Sequence, residues 1–284
     1  MKLASYNLFF WLPDKLYIRL LWWFKLDYGL NLKSPETYNE KLQWLKLNYR
    51  NPLLTSLADK YEVRSYIREK IGDQYLIPLL GVYDSAEQIN WDELPDQFVL
   101  KCNHDSGSVI ICTDKSSLDK NTVIKKLSRR LGTNATYNLL RVWPYKNIKR
   151  KILCEKYLAN RPGELTDYKF FCFDGEPKAM FIATERNSGD VKFDYYDINF
   201  NNLNIVQAHK QSEKKLSRPK GFDEMVRLSG ILSQNIPHVR VDFYDIKGKV
   251  YFGEMTFFHH SGLVGFTPGS IDELWGSWIK LPGI

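Results

Sequence analysis

Two short runs near the end of the chain carry the residues best suited to chemistry: Arg240-Val241-Asp242-Phe243-Tyr244 and Glu254-Met255-Thr256. In a strand alternate residues share a face, so Arg240, Asp242 and Tyr244 point one way while Val239, Val241 and Phe243 point to a core. If the two runs pair through a turn centred near Gly248, Asp242 lies opposite Glu254 and Arg240 opposite Thr256. Two carboxylates at such range repel unless a cation lies between them, and Mg²⁺ favours hard oxygen ligands completed by phosphate oxygens. A surface pair bridged by Arg240 is the competing reading of the same spacing.

Other residues could act on phosphate or carboxylate. Lys101 ends an apolar run, Phe98-Val99-Leu100, and precedes Asn103-His104-Asp105-Ser106-Gly107-Ser108. A loop of small residues can offer backbone N–H groups to phosphate oxygens, with lysine as a point charge; an ordinary strand-end lysine before a turn has the same pattern. Lys169 is an isolated cation in the apolar run 168–173. His259-His260-Ser261-Gly262 follows Thr256, and an imidazole there suits general-base work, hydrogen bonding to sugar hydroxyls, or plain packing. His104 in the polar loop could touch phosphate or substrate, and Arg186, beside Asn187-Ser188-Gly189, could grip a carboxylate through two hydrogen bonds.

The elements that must position these residues change in texture near residue 97, from helical periodicity to strands. Ser34-Pro35-Glu36-Thr37 starts a helix with apolar Leu42, Leu45 and Leu47, and residues 59–71 read as a charged helix closed by Gly72. Strands are expected at 98–102, 109–112 and 149–158, with a basic helix at 123–131. Asp174-Gly175 joins one hairpin, 167–174 with 177–184, and Lys247-Gly248 joins another, 239–244 with 250–257, after a helix at 222–234. The class is α+β.

Composition limits the partners. With 44% apolar residues over 284 positions the chain buries a large core, and a net charge of +7 suits polyanions such as nucleotide phosphates, acidic sugars or an anionic membrane face. Cys102, Cys112, Cys154 and Cys172 lie apart in apolar runs, as buried thiols of a reducing cytosol do, and without metal spacing. No run is long enough to span a membrane and no cleavable leader is visible, so a cytoplasmic protein is expected. Residues 8–30 alternate Trp11, Leu16, Leu20, Trp22, Trp23 and Phe24 with Asp14, Lys15, Arg19 and Lys25; this is either an interfacial amphipathic helix or a helix packed on its own domain.

Cys154-Glu155-Lys156-Tyr157-Leu158 resembles the adenine hinge of ATP-grasp enzymes such as biotin carboxylase. The final hairpin, Arg240-Val241-Asp242-Phe243 with Glu254-Met255-Thr256, resembles that of D-alanine-D-alanine ligases. Within the superfamily, Asn39-Glu40-Lys41-Leu42-Gln43-Trp44, Asp59-Lys60, Leu94-Pro95 and Asp167-Tyr168-Lys169-Phe170-Phe171 look like the TupA-like, teichuronopeptide-biosynthesis branch. The resemblance implies an ATP-grasp fold, with the nucleotide held between two α+β subdomains and a helical segment at the N-terminus. Its parts would be a helical segment, 1–55; an N-terminal subdomain, 56–97; a lid, 98–158; and a catalytic subdomain, 159–284.

The resemblance further implies an ATP- and Mg²⁺-dependent, ADP-forming ligase that joins a carboxylate to an amine through an acyl phosphate. The branch suggests a uronic acid of a bacterial surface polysaccharide and an amino acid, with a peripheral membrane or lipid-linked glycan contact and no nucleic acid. Glu155, Lys156 and Leu158 would read the base; Lys101, Ser106, Gly107, Ser108 and Lys169 would meet the phosphates; Asp167 or Glu164 would hold the ribose. Asp242, Glu254 and Thr256 would bind metal, although the family commonly carries asparagine at the last position. Arg240, Lys101, His259 and His260 would serve catalysis, and His104, Arg186 and Ser261 the substrate. A sugar kinase and a non-catalytic glycan-binding protein are the rival expectations.

Overall fold

The structure is a computed structural model, describing residues 11–160, 165–185 and 189–283. The chain divides into two compact units, residues 52–163 and residues 1–51 with 164–284. Arg186 and Glu164, both named above, lie outside the described residues, as do residues 8–10 of the amphipathic segment.

The 52–163 unit is built on a four-stranded antiparallel sheet of β1 (Leu79–Tyr83), β2 (Phe98–Cys102), β3 (Ile110–Cys112) and β4 (Ile152–Lys156), in the order β1-β4-β2-β3. Alternation sends Phe98, Leu100 and Cys102 of β2 and Ile152 and Cys154 of β4 into one core. Helix α5 (Lys120–Leu131) covers that face with Val123 and Leu127, one turn apart.

Helices α3 (Leu53–Ala58), α4 (Val63–Lys70) and α6 (Ala135–Leu140) complete this unit. The expected helix over 59–71 starts later than its charge pattern suggests. The Asp59 carboxylate accepts hydrogen bonds from the amides of Tyr61 and Glu62, at 2.8 and 3.3 Å, and so shapes a turn ahead of α4.

The other unit carries a five-stranded antiparallel sheet of β5 (Asp167–Phe173), β6 (Glu176–Thr184), β7 (Lys192–Asp197), β8 (Val239–Ile246) and β9 (Lys249–Thr256), ordered β7-β6-β5-β8-β9. Helix α7 (Phe222–Leu232) packs on one face, burying Phe222, Met225, Leu228 and Leu232. Near the opposite face lie α1 (Asp14–Leu26), α2 (Tyr38–Asn48) and α8 (Ser270–Trp278), with Trp275 of α8 tilted against Phe171 at 4.6 Å between rings. Thr37 caps α2 in a reciprocal box with Glu40, as its sequence anticipates. No helix among the described residues is long and apolar enough to cross a membrane.

Both hairpins turn where expected, with positive φ at Asp174-Gly175 and Lys247-Gly248. The β8–β9 register holds a feature the spacing conceals. Ile246 pairs with Lys249 and Phe243 with Phe252, a register in which Glu254 would fall opposite Val241 and point to the core. A bulge at Gly253 adds one residue to β9, so Asp242 pairs with Glu254 and Arg240 with Thr256. One inserted residue thus moves Glu254 and Thr256 to the face that carries Asp242. A Cβ at Gly253 would lie 3.1 Å from the Asp242 carbonyl oxygen and 3.3 Å from the Tyr244 ring, which favours glycine there.

Candidate functional site

Alternation across β5, β8 and β9 places Asp167, Lys169, Arg240, Asp242, Glu254 and Thr256 on one face of the five-stranded sheet. Arg240 organises them. Its Nε donates to Asp242 Oδ1 at 2.7 Å and its Nη2 to Asp242 Oδ2 at 2.8 Å, a two-pronged pair. The same Nη2 reaches Thr256 Oγ1 at 3.1 Å and Glu254 Oε1 at 3.3 Å. Lys169 Nζ donates to Asp242 Oδ2 from the neighbouring strand and lies 3.4 Å from Asp167 Oδ1. Burial opposes the charge on Arg240, but the adjacent Asp242 carboxylate outweighs it and holds the guanidinium above its ordinary pKa.

The predicted opposition of Asp242 and Glu254 is therefore present, and so is the bridging arginine of the competing reading. The two combine: Arg240 neutralises a carboxylate pair that is buried at Asp242 and about a quarter exposed at Glu254. Among the described residues no group of three or more His, Cys, Asp or Glu side chains is arranged to hold a metal alone. The donors available are two carboxylates and the Thr256 hydroxyl, all oxygen.

The His259-His260-Ser261 run divides in role. Arg240 Nη1 donates to His259 Nδ1 at 2.7 Å, so the ring carries its proton on Nε2, which donates to Gln207 Oε1 at 3.0 Å. Burial, His260 and Arg240 push the His259 pKa well below the ordinary value. Both ring nitrogens are thus committed to hydrogen bonds, which makes His259 a brace for Arg240. His260 differs, for its Nε2 is buried with no hydrogen-bond partner, and burial together with Arg240 and His209 lowers its pKa to about 4. Ser261 turns inward, its Oγ accepting from Lys46 Nζ at 2.7 Å.

Three polar residues of α2 hold this loop, and periodicity reading does not find them. Asn39 Nδ2 donates to the Val264 carbonyl at 3.1 Å; Gln43 Nε2 donates to those of Ser261 and Gly262 at 2.8 and 2.7 Å. Lys46 Nζ donates to Gln43 Oε1 at 2.9 Å and to the Ser261 carbonyl at 3.0 Å. His260 and Ser261 adopt left-handed φ of 45° and 58°, a conformation unfavourable for both that these contacts sustain. Gly262 follows at φ 62°, where a Cβ would collide with Gln43 Nε2 at 2.6 Å. Burial lowers the Lys46 pKa to about 7. The only sequence signal is the spacing of Asn39, Gln43 and Lys46, which places three polar residues on one face of the helix.

In the 52–163 unit, Lys101 and Glu155 are neighbours on adjacent strands, with Nζ 2.6 Å from Oε2, and Arg64 Nη1 lies 3.6 Å from Oε1. Lys156 is exposed at the end of β4 and Leu158 follows in the loop. In the 103–108 loop Ser106 and Gly107 are exposed, whereas Ser108 is buried, its Oγ accepting from the Cys102 amide at 2.8 Å. His104 is buried and its Nε2 meets the Thr133 carbonyl at 2.9 Å, a contact that ties the loop to the end of α5.

The Asp59-Lys60 pair fixes the same loop from the other side. Asp59 accepts from Asn103 Nδ2 at 2.9 Å, and Lys60 Nζ donates to the Asp105 carbonyl at 2.8 Å. Arg130, which the sequence reading did not single out, completes the setting. Its Nη1 lies 3.9 Å from Asp105, and its guanidinium sits 3.4 Å from where a Gly107 side chain would begin.

No protein with a curated description matches the chain. Among solved structures, D-alanine–D-alanine ligase from Bacillus anthracis in complex with ATP is 16% identical, with a TM-score of 0.42 over 72% of this chain and 55% of that one. The Helicobacter pylori D-alanine–D-alanine ligase is 14% identical, with a TM-score of 0.47 over 88% and 68%. D-cycloserine synthetase is 14% identical, with a TM-score of 0.42 over 80% and 71%. The chain thus spans little more than half the length of the first of these. The TupA-like ATP-grasp profile matches residues 40–280, a span that takes in most of α2, the Lys101–Glu155 pair and the whole constellation around Arg240. The chain belongs to the TupA-like ATP-grasp family.

Proposed function

We propose that the protein is an ATP-dependent, ADP-forming ligase that joins a carboxylate to an amine. The observation that carries this reading is the constellation on β5, β8 and β9, where Arg240 and Lys169 converge on Asp242 and Arg240 extends to Glu254 and Thr256. Phosphoryl transfer to a carboxylate needs positive charge at the transferred group, and capture of the acyl phosphate by an amine needs a donor for the oxyanion. Arg240, buried and oriented by Asp242 and His259, supplies a fixed donor of that kind.

The residues fit Mg²⁺: Asp242 and Glu254 are cross-strand carboxylates, Thr256 adds a hydroxyl, and nucleotide phosphates would complete an oxygen shell. When bound there, the ion would neutralise charge on the transferred phosphoryl group. Lys169 and Arg240 now serve as counter-ions to Asp242, and either is free of clashing chemistry with a phosphate oxygen. Lys101 would add charge at phosphate, held in place by Glu155; Ser106 and Gly107 would present the exposed part of their loop to it. The backbone at Lys156 and Leu158 would take the adenine edge, and Asp167 the ribose.

His260 would receive the proton of the incoming amine. Its Nε2 is unpartnered and its low pKa keeps the ring neutral at pH 7, though a weak base. His104 and Ser261 would shape their loops, through His104 Nε2 on the Thr133 carbonyl and Ser261 Oγ on Lys46. Arg186 would bind substrate carboxylate. A uronic acid of a surface polysaccharide is the proposed carboxylate and an amino acid the proposed amine, supported by the family and by the basic charge of the chain. The need for ATP would place the reaction in the cytoplasm.

The test is hydroxylamine trapping with purified protein, ATP, Mg²⁺ and pooled uronic acids. A hydroxamate with equimolar ADP supports the ligase. A stable phosphate ester would make the protein a sugar kinase, and binding of glycan indifferent to ATP and to Glu254→Gln would make it a non-catalytic binding protein.

A further inference from the structure

Among the described residues, α1 and the position just before it carry exposed apolar surface. Helix α1 buries Tyr17, Ile18 and Trp22, so one stripe is satisfied within its own unit. The outward side of a helix so packed is ordinarily polar. Here Leu16 is 56% exposed, Trp23 54% and Phe24 71%, with Trp11 at 67% just before the helix. Lys15 and Arg19 are exposed among them, and Lys25 is exposed in the last turn on the side of Ile18 and Trp22. The acid at the start of the helix, Asp14, lies toward the packed side and is paired with Arg50 at 3.5 Å, while on the exposed side Lys15 and Arg19 outnumber the single exposed acid, Asp27.

We propose that the exposed side of α1 is a docking surface for an anionic lipid membrane. Tryptophan and phenylalanine insert at headgroup depth, and lysine and arginine beside them meet lipid phosphates while their stems lie along the acyl boundary. The charge argues against a second copy of this chain as occupant, because Lys15 and Arg19 would then face their own kind. The helix is 13 residues long, enough to lie in an interface and too short to cross one. This inference stands apart from the ligase reading, since it rests on α1 alone.

The experiment is co-sedimentation of the full chain with vesicles of phosphatidylcholine alone, or with roughly a third phosphatidylglycerol, at about 0.1 M salt. The protein is expected to pellet with the anionic vesicles, to be released by high salt, and to show a blue shift of tryptophan emission on binding. Trp23→Ser with Phe24→Ser is expected to lower partition roughly tenfold or more, because two apolar side chains leave the bilayer boundary. Phe24→Asp, at the most exposed of these positions, gives a second variant whose unfolding curve should overlay the parent's. Absence of binding to either vesicle, or equal binding by parent and variants, overturns the proposal. So does a concentration-dependent dimer that Trp23→Ser with Phe24→Ser abolishes, which would assign the face to a second copy.

Discussion

Lys46 gives the prediction with the clearest magnitude. Its ammonium is fully buried beneath the His259–Gly262 loop, and burial brings its pKa from 10.5 to about 7. In the unfolded chain it titrates near its ordinary value, so between about pH 7 and 10.5 the unfolded state binds more protons than the folded one. Stability then rises with pH through that window. Each unit of the difference is worth about 1.4 kcal/mol, so protonation costs the fold about 5 kcal/mol well below pH 7, a cost relieved progressively as pH rises.

Lys46→Met removes the titration. It also removes donors to Gln43 Oε1 and the Ser261 carbonyl, a loss of about 1–3 kcal/mol that does not vary with pH. Urea unfolding of parent and variant from pH 6 to 9 should therefore give diverging curves, the parent gaining about 3 kcal/mol on the variant across the range. At pH 6 methionine should be tolerated or favoured, as apolar replacements of buried charges often are. Parallel curves would refute the reasoning.

Other expectations follow from the same geometry. Lys101→Met should cost about 3–5 kcal/mol in unfolding free energy by leaving Glu155 with Arg64 alone, and Lys101→Met with Glu155→Gln should recover much of it in a double-mutant cycle. Arg240→Lys should lower nucleotide turnover roughly a hundredfold, because a point charge cannot serve Asp242, Thr256 and His259 together; steady-state kinetics would show it, and unchanged turnover would remove Arg240 from the proposed site. Gly253→Val should cost about 1–3 kcal/mol in thermal or urea unfolding, since its Cβ starts 3.1 Å from the Asp242 carbonyl. The four cysteines are buried and free, and burial pushes the Cys154 and Cys172 thiols up to about 12. Ellman's reagent at pH 8 should label none of them rapidly until denaturant is added.

Alternation made the strands around Arg240 and Lys169 legible, because a charged residue every second position on an otherwise apolar run has one available face. The pairing of Asp242 with Glu254 was inferred from a turn centred on Gly248. The turn lies at Lys247-Gly248 and the bulge at Gly253 restores the expected partner, a compensation that spacing alone does not display. Strand β7 went unrecognised: its Lys192 and Asp194 hide a run in which Phe193, Tyr195 and Tyr196 are buried.

The inner face of α2 was misread for a related reason. Leu47 is only half-buried, whereas Gln43 and Lys46 are buried, because their partners are carbonyl groups more than 200 residues away in the chain. Likewise the role of Asp59-Lys60 in tying down the 103–108 loop depends on contacts that no local window contains.

The most direct test of the central claim is Mg²⁺-dependent ADP release by the purified protein, measured with pooled uronic acids and pooled amino acids supplied separately and together. The account predicts ADP, and no AMP, that rises with the carboxylate and amine together and is abolished by Glu254→Gln. AMP as the nucleotide product, or turnover that Glu254→Gln leaves intact, would contradict it.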